Sequence, residues 1–489
     1  MTQTNEFAAH SGTRTASCSP ALCVDLDGTL VKSDTLVDAL FALFRRRPVT
    51  VLRCSRLLLH GKAAFKAGMA RHVILNPATL PYNQPLLDHL RAEHAAGRDI
   101  YLVTATNEEQ ARGIADHLGI FKGVFASGRD VNLSADAKRE VLERRFPECG
   151  FDYIGNARPD VPVLRQAQKA MLANPSLGLH ARLKRHQITV HQVFEDRAPR
   201  LKTLLRAMRV KQWSKNLLVF LPLLLAHAVL NRQKFLETSA AFVSWSLAAS
   251  ATYILNDLLD MEADRNHPWK RRRPFAAGDL SPQSGVAVVC VLVVLAAMLA
   301  MRLPISFSFW LGSYFVATIA YSLVLKKFAL VDVLTLAGLY TVRMVAGGAA
   351  SDVPLSPWLG GFSIFFFLSL AIVKRYAELD NLRKAGQISA NGRGYQVEDI
   401  EQLRSFGTAS GYASVVVFTL YINNPEVIKL YGHSQRLWLL APVLIFWISR
   451  IWLLAHRGEL DEDPVVFALT DYWSAALGTI ALLIVLSAV

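Results

Sequence analysis

The sequence predicts a two-part protein, with an α/β domain at the amino terminus and an all-α integral membrane bundle after it. The 489-residue chain is long enough for more than one domain. Apolar and polar segments alternate up to about residue 205, whereas long apolar runs dominate from Leu217 onward. A helix needs about 20 apolar residues to cross a bilayer. The second part is therefore expected to lie in a membrane.

The segment boundaries follow from changes in composition along the chain. Residues 1 to 19 are small and polar and contain no apolar core of a signal peptide, so they are predicted to be a disordered leader. The α/β domain is placed at 20–175, with a helical cap inserted at about 34–90. A basic linker is predicted at 176–205, where its arginines suit a membrane surface, and the membrane domain at 206–489.

A pair of acids closes the first predicted strand. The stretch ALCVDLDGTL, residues 21–30, is a short apolar run that ends in Asp25, Asp27 and a glycine turn. Two neighbouring carboxylates suit a reaction in which one attacks phosphorus and the other acts as a general acid or base.

Three later motifs accompany this pair. DIYLVTAT is a second strand that ends in Thr104, and Lys138 follows a helix-start signal at Ser134 and Asp136. FDYIGNARPD is a third strand that leads to Asn156 and Asp160. In this order, the motifs resemble the haloacid dehalogenase superfamily, with its Rossmannoid α/β fold, and especially its phosphoserine-phosphatase-like branch.

The resemblance implies a role for each motif residue. Asp25 would be the nucleophile and Asp27 the general acid/base, while Thr104 and Lys138 would hold the phosphate. Mg²⁺ would be bound by Asp25, by the Asp27 carbonyl, and by Asn156 and Asp160. The family usually has an acid where Asn156 stands, and an amide supplies a ligand oxygen without its charge. A domain that binds or regulates without catalysis therefore stays open as an alternative.

Nine apolar runs are predicted to span the membrane. They lie near 217–231, 239–257, 284–301, 304–325, 330–348, 357–373, 407–423, 436–455 and 472–489. If the chain enters from the cytosol, most lysines and arginines of the connecting loops fall on the cytosolic side. The protein is accordingly expected in a cell membrane, specifically a bacterial inner membrane, with the amino-terminal domain in the cytosol.

The positive charge of the chain is explained by this arrangement. The formal net charge is +14, and much of it lies beside the predicted spans, where anionic lipids are the expected partners. No nucleic-acid partner is predicted. The five cysteines have no metal-binding spacing, which agrees with a reducing cytosol.

An acidic stretch marks the end of the second predicted span. It reads NDLLDMEADRNHPWKRRRPFAAG, residues 256–278. On a helix, Asn256, Asp260 and Asp264 fall within about 80° of one another, and Asp257 lies beside them. Acids at membrane depth are costly unless they face a cation or a polar cavity. Oxygen ligands suit Mg²⁺, and the cations that follow can hold a diphosphate. These cations are Lys270, Arg273 and, if protonated, His267.

The membrane part resembles the UbiA family of intramembrane prenyltransferases, a nine-helix bundle around a polar cavity. Within that family, KQWSKN, KRYAEL, RGELDEDPVVFALTD and the acidic stretch are most similar to the decaprenyl-phosphate phosphoribosyltransferase branch. The resemblance implies that Asn256, Asp257, Asp260 and Asp264 bind metal and diphosphate. The substrate-binding candidates around them are Lys211, Lys215, Asn216, His267, Lys270, Arg273, Tyr321, Lys326, Lys327, Asp332, Arg343, Lys374, Arg375 and Tyr376.

The leading hypothesis is a Mg²⁺-dependent membrane transferase with a polyprenyl lipid and a diphosphate-activated substrate. In that branch, polyprenyl phosphate attacks C1 of phosphoribosyl diphosphate, and diphosphate leaves. The fused domain would remove a phosphate. The alternative is transfer of a prenyl chain from prenyl diphosphate to an aromatic or quinone precursor, beside a non-catalytic domain. Transport is disfavoured because the acids cluster at one membrane face. The sequence makes no prediction about protein partners or chain length of the lipid.

Overall fold

The computed structural model describes residues 19–56, 65, 68–69, 71–128, 133, 135–384, 386, 393–460 and 464–489. Most of the predicted leader, Ser134, residues 461–463 and part of the predicted cap lie outside these ranges. The chain divides into two compact units. The first unit, which we call the α/β unit, contains the residues up to Thr203 and Asp257–Gln283. The second, which we call the helical unit, contains Leu204–Asn256 and Ser284–Val489.

A six-stranded parallel sheet forms the centre of the α/β unit. Its strands are β1 Ala21–Val24, β2 Ile100–Asn107, β3 Gly123–Ser127, β4 Phe151–Gly155, β5 Ala170–Ala173 and β6 Val190–Phe194. The spatial order is β3-β2-β1-β4-β5-β6. Strands β1, β4 and β5 are buried along their whole length, as expected for a sheet covered by helices on both faces. The predicted α/β fold is confirmed.

Short helices connect these strands. They are α1 Thr35–Arg46, α2 Pro48–Ser55, α3 Gln84–Ala95, α4 Glu108–Leu118, α5 Ala135–Arg145, α6 Val161–Gln166 and α7 Leu179–Arg185. Helix α8, Arg200–Ala207, follows β6. Asp34 caps α1, because its side chain accepts hydrogen bonds from the backbone N–H groups of Leu36 and Val37.

The sheet continues into the segment that was predicted to be a linker. Strand β6 pairs with β5 and lies, with α7, inside residues 176–205. His191 and Gln192 of this edge strand are exposed, and only Phe194 is buried. The strand therefore lacks the apolar run that marks a central strand, which explains why composition alone indicated a linker.

The helical unit consists of helices of very different lengths. They are α9 Leu221–Leu225, α10 Arg232–Leu259, α12 Pro282–Ala300, α13 Ile305–Leu323, α14 Val331–Ser351, α15 Pro357–Lys384, α16 Ile400–Ile422, α17 Pro425–Ile428, α18 Leu440–Arg457, α19 Pro464–Thr470 and α20 Tyr472–Ala488. Helix α11, Met261–Arg265, belongs to the α/β unit, as do the last three residues of α10 and the first two residues of α12.

The predicted count of nine spans is not confirmed. Among the described residues, five helices are long and apolar enough to cross a membrane by length and composition: Pro282–Ala300, Val331–Ser351, Pro357–Lys384, Val397–Ile422 and Ser434–Arg457. The first predicted run, 217–231, forms a 3-10 helix, Val210–Phe220, and then α9, with Pro222 in its first turn. Proline suits the first turn of a helix but cannot continue one from before it.

A close backbone contact packs the 3-10 helix Val210–Phe220 against α14. A Cβ atom on Gly347 would lie 2.0 Å from the carbonyl oxygen of Val219, so only glycine fits there. Gly338 lies on the same helix, and a Cβ atom there would meet nothing within 4 Å. The close approach holds the segment that carries Lys215 and Asn216 against α14.

These two glycines give a matched test of the packing. We expect Gly347→Ala to lower the free energy of unfolding by about 1–3 kcal/mol, because the methyl group overpacks the contact. Gly338→Ala is expected to be neutral or stabilising by up to about 1 kcal/mol, since alanine is the better helix former. Thermal unfolding in detergent measures both. Equal midpoints for the two variants would contradict the described packing.

Candidate functional site

The first candidate site lies at the carboxyl edge of the parallel sheet. Strand β1 is flanked by β2 and β4, so the residues after these three strands converge there. Asp25 follows β1 directly, and Lys138 reaches it from α5 with Nζ 2.6 Å from Asp25 Oδ1. The Thr29 hydroxyl donates to Asp25 Oδ2 at 3.1 Å. Asp25 and Lys138 are both buried.

Burial changes the acidity of this pair. It raises the pKa of Asp25 to about 7, against the opposing attraction of the Lys138 ammonium. For Lys138, burial alone would lower the pKa, but Asp25 and Asp160 outweigh it and raise the pKa. The lysine therefore stays charged, and it neutralises part of the negative charge that the site concentrates.

Asp27 is held by hydroxyl and amide donors. Its Oδ1 accepts hydrogen bonds of 2.8 Å from both the backbone N–H and the hydroxyl of Thr35. Its Oδ2 accepts one of 2.5 Å from Thr106. Thr106 N–H in turn donates to the hydroxyl of the buried Thr104. The four predicted catalytic residues are thus gathered at one edge of the sheet, but Thr35 and Thr106 were not predicted.

Asp160 and Asn156 complete this edge after β4. Asp160 Oδ2 accepts from the backbone N–H groups of Asn156 and Ala157, and Lys138 Nζ lies 3.6 Å from Asp160 Oδ1. The Asn156 side chain packs on Gly28, where a Cβ atom would lie 2.0 Å from its amide nitrogen. Gly28 has a φ of +75°, which favours glycine independently of this contact.

Two carboxylates at this edge have the chemistry that Mg²⁺ prefers. In the part of the chain that the structure describes, no group of three or more His, Cys, Asp or Glu side chains is arranged to hold a metal ion. Asp25 and Asp160 nevertheless converge on one positively charged group, Lys138. Mg²⁺ usually takes one or two carboxylates and completes its shell with water and phosphate oxygens. Asp25 and Asp160 are therefore the two carboxylates that would hold it here.

The second candidate site is a cavity of about 290 Å³ inside the helical unit. We call it the cationic cavity, because six of its lining residues are lysine or arginine and none of its described lining residues is acidic. The cations are Arg209, Lys215, Arg343, Lys374, Arg375 and Arg393. Four tyrosines, Tyr253, Tyr314, Tyr321 and Tyr340, and Asn256 also line it. This composition suits a ligand with several negative charges.

Buried polar partners orient two of these arginines. Arg343 Nε donates to Asn216 Oδ1 at 3.0 Å, and its guanidinium lies over the rings of Tyr314 and Tyr340. Arg375 Nε donates to Asp332 Oδ2 at 2.5 Å, and the Tyr321 hydroxyl donates to Asp332 Oδ1 at 2.7 Å. Asp332, which is fully buried, thus fixes a cation and a tyrosine of the cavity at once.

The acidic stretch belongs to the α/β unit, except for Asn256. Asp257 and Asp264 are buried and bind the same nitrogen, Arg273 Nη1, at 3.1 and 2.8 Å. Burial raises the pKa of Asp264 to about 6, although Arg273 opposes the shift. Asp260 pairs with Arg45 instead. Three of the four predicted ligands therefore have partners within this unit, and two converge on one cation.

The remaining predicted residues have other positions. His267 lies beside Lys270 and Arg273; burial and then these two cations lower the pKa of its ring, so it is neutral near pH 7. Tyr376 is buried and bonds His456 Nδ1 at 3.0 Å. Lys211, Lys326 and Lys327 are not among the residues that line the cationic cavity. These positions leave their predicted roles as predictions.

The structure adds cavity residues that the sequence did not indicate. They are Arg209, Gln212, Tyr253, Tyr314, Tyr340 and Arg393. Arg209 lies four residues beyond the predicted basic linker, and its guanidinium is 4.9 Å from the centre of the Tyr253 ring. A signal existed for the tyrosines, since a polar-tipped ring inside a predicted span needs a partner.

Sequence comparisons match most of the helical unit to a known family and the chain to several relatives. The model of the UbiA prenyltransferase family matches residues 217–477. The uncharacterized protein y4nM of Sinorhizobium fredii is 37% identical over 94% of this chain and 89% of its own length. The nodulation protein NoeC of Azorhizobium caulinodans is 34% identical over 55% of this chain and 87% of its own. Decaprenyl-phosphate phosphoribosyltransferase of Mycobacterium tuberculosis is 36% identical over 54% and 87%, respectively.

Solved structures show similarities to each part. A UbiA homologue of Archaeoglobus fulgidus bound to GPP and Mg²⁺ has 14% identity and a TM-score of 0.45, and the match covers 58% of this chain and 96% of that one. A phosphoserine phosphohydrolase-like protein of Francisella tularensis has 14% identity and a TM-score of 0.27 over 36% of this chain and 94% of that one.

The raised pKa of Asp25 gives a prediction for stability against pH. The ordinary pKa of an aspartate is about 3.9, whereas that of Asp25 is about 7 in the folded protein. Folding is therefore favoured by the protonated carboxyl, and this contribution is lost as the pH rises from about 4 through 7. In Asp25→Asn the group no longer titrates. We expect the stability of Asp25→Asn relative to wild type to rise between pH 5 and pH 8, by on the order of 1 kcal/mol.

Thermal unfolding in the presence of a chelator measures this difference, since a bound cation would favour the ionised carboxylate. Asp99→Asn is the control, because Asp99 forms an exposed pair with Lys122 on the same unit. A difference between Asp25→Asn and wild type that is independent of pH would contradict the assigned pKa.

Proposed function

The chain belongs to the UbiA prenyltransferase family, and from this premise we propose that its helical unit transfers a phosphoribosyl group from phosphoribosyl diphosphate to polyprenyl phosphate. As a member of this family with several apolar helices, it is an integral membrane protein. The relative from Mycobacterium tuberculosis carries the corresponding activity in its name. We further propose a bacterial inner membrane, and the loop charges support a cytosolic position of the α/β unit.

The cationic cavity is the observation that carries this proposal. Six cations with no acid among the described lining residues would repel a basic ligand and favour one that carries phosphate groups. In phosphoribosyl transfer, both substrates bring phosphate to the reacting carbon, and the donor has a further phosphate on its sugar. In prenyl transfer to an aromatic acceptor, only the donor has a diphosphate. The number of cations therefore favours phosphoribosyl transfer.

In the proposed reaction, a phosphate oxygen of the lipid forms a bond to C1 of the ribose, and the bond from C1 to the diphosphate oxygen breaks. Negative charge grows on the departing diphosphate. Arg343 and Arg375 are held by Asn216 and Asp332, so they can stabilise that charge without reorganising. Lys215 lies over the Tyr340 ring at 5.8 Å and adds a point charge.

We assign a proposed Mg²⁺ ion to the acidic stretch. Asp257 and Asp264 would hold it, since their oxygens already converge on one cation, Arg273. When bound, the ion would offset charge on the diphosphate. Asn256 lines the cationic cavity and directly precedes Asp257 on α10.

For the α/β unit we propose a phosphatase. The Asp25 carboxylate would attack phosphorus, the bond to the leaving oxygen would break, and Asp27 would donate a proton to that oxygen. Water then hydrolyses the acyl phosphate. Lys138 would hold phosphate oxygens, and Thr104, one strand away, would assist. Phosphoribosyl transfer leaves a sugar 5-phosphate on the lipid, which is a suitable substrate. A regulatory unit without catalysis is the alternative, based on Asn156.

The second candidate for the helical unit is transfer of a prenyl chain to an aromatic precursor, which the family name favours. Four tyrosines in the cavity lining provide aromatic faces that could bind such an acceptor or an allylic cation.

A two-mixture assay separates these reactions. Purified protein with Mg²⁺ receives labelled phosphoribosyl diphosphate and polyprenyl phosphate in one mixture, and prenyl diphosphate with 4-hydroxybenzoate in the other. We expect a lipid-linked pentose in the first mixture only. Arg343→Met is expected to reduce kcat by about 100-fold or more, because it removes an oriented donor to the leaving group.

The matched control for that variant is Arg436→Met, whose guanidinium is exposed and donates to the Ser487 carbonyl outside the cavity. Product in the second mixture alone would replace the proposal with prenyl transfer. Equal losses in both variants would show that the cavity has no special role.

Phosphatase activity has its own test. We expect the full chain to hydrolyse a generic aryl phosphate with Mg²⁺ and Asp25→Asn to lose this activity, since the amide cannot attack phosphorus. Asp99→Asn should retain it, as Asp99 lies away from the site. Release of phosphate that is the same in wild type and Asp25→Asn would instead support the regulatory alternative.

A further inference from the structure

The acid-bearing segment Asp257–Gln283 is anchored to the rest of the α/β unit by a buried ion pair. Arg265 Nη1 lies 2.8 Å from Asp38 Oδ2, and the exposed fractions of the two side chains are 4% and 2%. The Ser33 hydroxyl donates to the same Asp38 oxygen at 2.6 Å and accepts from Arg265 Nη2 at 3.2 Å. Arg265 Nε also donates to the Ala276 carbonyl at 3.2 Å. The Arg265 guanidinium therefore contacts Asp38 of α1 and also Ala276 in the second half of the segment.

Further contacts fix the two ends of the segment. Near its start, Arg45 pairs with Asp260, and Arg46 Nη2 lies 2.6 Å from Glu262 Oε1. Near its end, Gln283 Nε2 donates to Asp34 Oδ2 at 3.0 Å. The residues that make these contacts with the segment are Asp34, Arg45 and Arg46. Arg45 and Arg46 belong to α1, and Asp34 is its N-cap.

Gly278 shows how closely the segment approaches. Its φ is +72°, and a Cβ atom there would lie 2.6 Å from the Cβ of Lys32. Lys32 Nζ is also 3.8 Å from Asp279 Oδ1. The segment is therefore seated on residues 32–46 along much of its length and is not a solvated loop.

We propose that Arg265 and Asp38 are positioning residues for the transferase, so that the α/β unit holds the acids of the acidic stretch in their working arrangement. This inference rests on the proposed function of the helical unit. Arg265 directly follows Asp264, and Asp264 shares Arg273 with Asp257. Anchoring Arg265 therefore fixes the backbone that sets the distance between these two carboxylates.

The stability of this ion pair depends on its surrounding hydrogen bonds. Two charges this deeply buried are favourable only with good geometry and extra hydrogen bonds, which Ser33 and Ala276 supply. Loss of either partner leaves the other charge buried and uncompensated, and the segment must move to hydrate it. Small displacements of positioning groups reduce rates strongly, because reacting groups need close alignment.

The anchor does not depend on phosphatase chemistry. Neither Asp38 nor Arg265 contacts Asp25 or Lys138 in the hydrogen bonds and ion pairs of the described residues. The α/β unit would thus serve the transferase whether or not it hydrolyses phosphate esters.

The test compares full-length Asp38→Asn and Arg265→Lys with wild type in the phosphoribosyl-transfer assay. We expect Asp38→Asn to raise the KM for phosphoribosyl diphosphate and to lower kcat/KM by about tenfold or more, with an unchanged KM for polyprenyl phosphate. Arg265→Lys keeps the positive charge but loses the fork of hydrogen bonds, so its kcat/KM should fall less than that of Asp38→Asn. A merely smaller folded fraction would lower the maximal rate and leave both KM values unchanged.

Asp152→Asn is the matched control. Asp152 is buried and pairs with the half-buried Arg98 at 2.5 Å in the same unit, but it has no contact of its own with the segment in the described hydrogen bonds and ion pairs. Hydrogen–deuterium exchange of peptides from 257–283 gives a second measurement that does not require activity. Exchange there should accelerate in Asp38→Asn and not in Asp152→Asn.

The outcomes are distinct. Faster exchange in the segment together with the selective rise in KM supports the inference. If Asp38→Asn has the same rate of transfer, the same KM values and the same exchange in the segment as wild type, the inference is overturned. Equal changes in KM and exchange in Asp152→Asn would also overturn it. No transfer by wild type would refute the proposed function itself, and unchanged exchange in the segment would still refute the anchor.

Discussion

Charge burial inside an apolar bundle is the constraint on which the helical unit depends. Cations within a membrane protein are unfavourable unless they face a polar cavity or a partner. Here Asp332 neutralises Arg375 and binds Tyr321, while Asn216 orients Arg343 without adding charge. The cavity therefore keeps a positive charge and a fixed geometry at the same time. In the proposed function, an anionic substrate would supply the remaining counter-charge, so the lining supports the proposed chemistry of the ligand.

The same logic applies to the α/β unit with the sign reversed. Asp25 and Asp160 concentrate negative charge around one lysine, and burial makes that arrangement costly without a further cation. Parallel strands bring these residues to one edge because β1 lies between β2 and β4. The hydroxyls of Thr35 and Thr106 then hold Asp27 in place. Both candidate sites thus use buried neutral or oppositely charged partners to fix a charged group.

Sequence patterns predicted what depends on short-range order and missed what depends on packing. The D-x-D-G-T turn, the strand ends and the long apolar helices carry their signal locally, and the structure contains them. Strand β6 was missed because most of its residues are exposed, and only Phe194 is buried. Arg209 and Tyr340 line the same cavity although they lie far apart in the sequence. Arg265 pairs with Asp38, which lies 227 positions earlier (265 − 38 = 227). No pattern along the chain specifies such pairs.

The central claim is that the cationic cavity binds the diphosphate end of the substrate. Calorimetric titration of the full-length protein with inorganic diphosphate in the presence of Mg²⁺ measures this binding without any turnover. The account predicts one site per chain, with affinity that falls as salt concentration rises and that is strongly reduced in Arg343→Met. Absence of binding, or binding that Arg343→Met leaves unchanged, would contradict it.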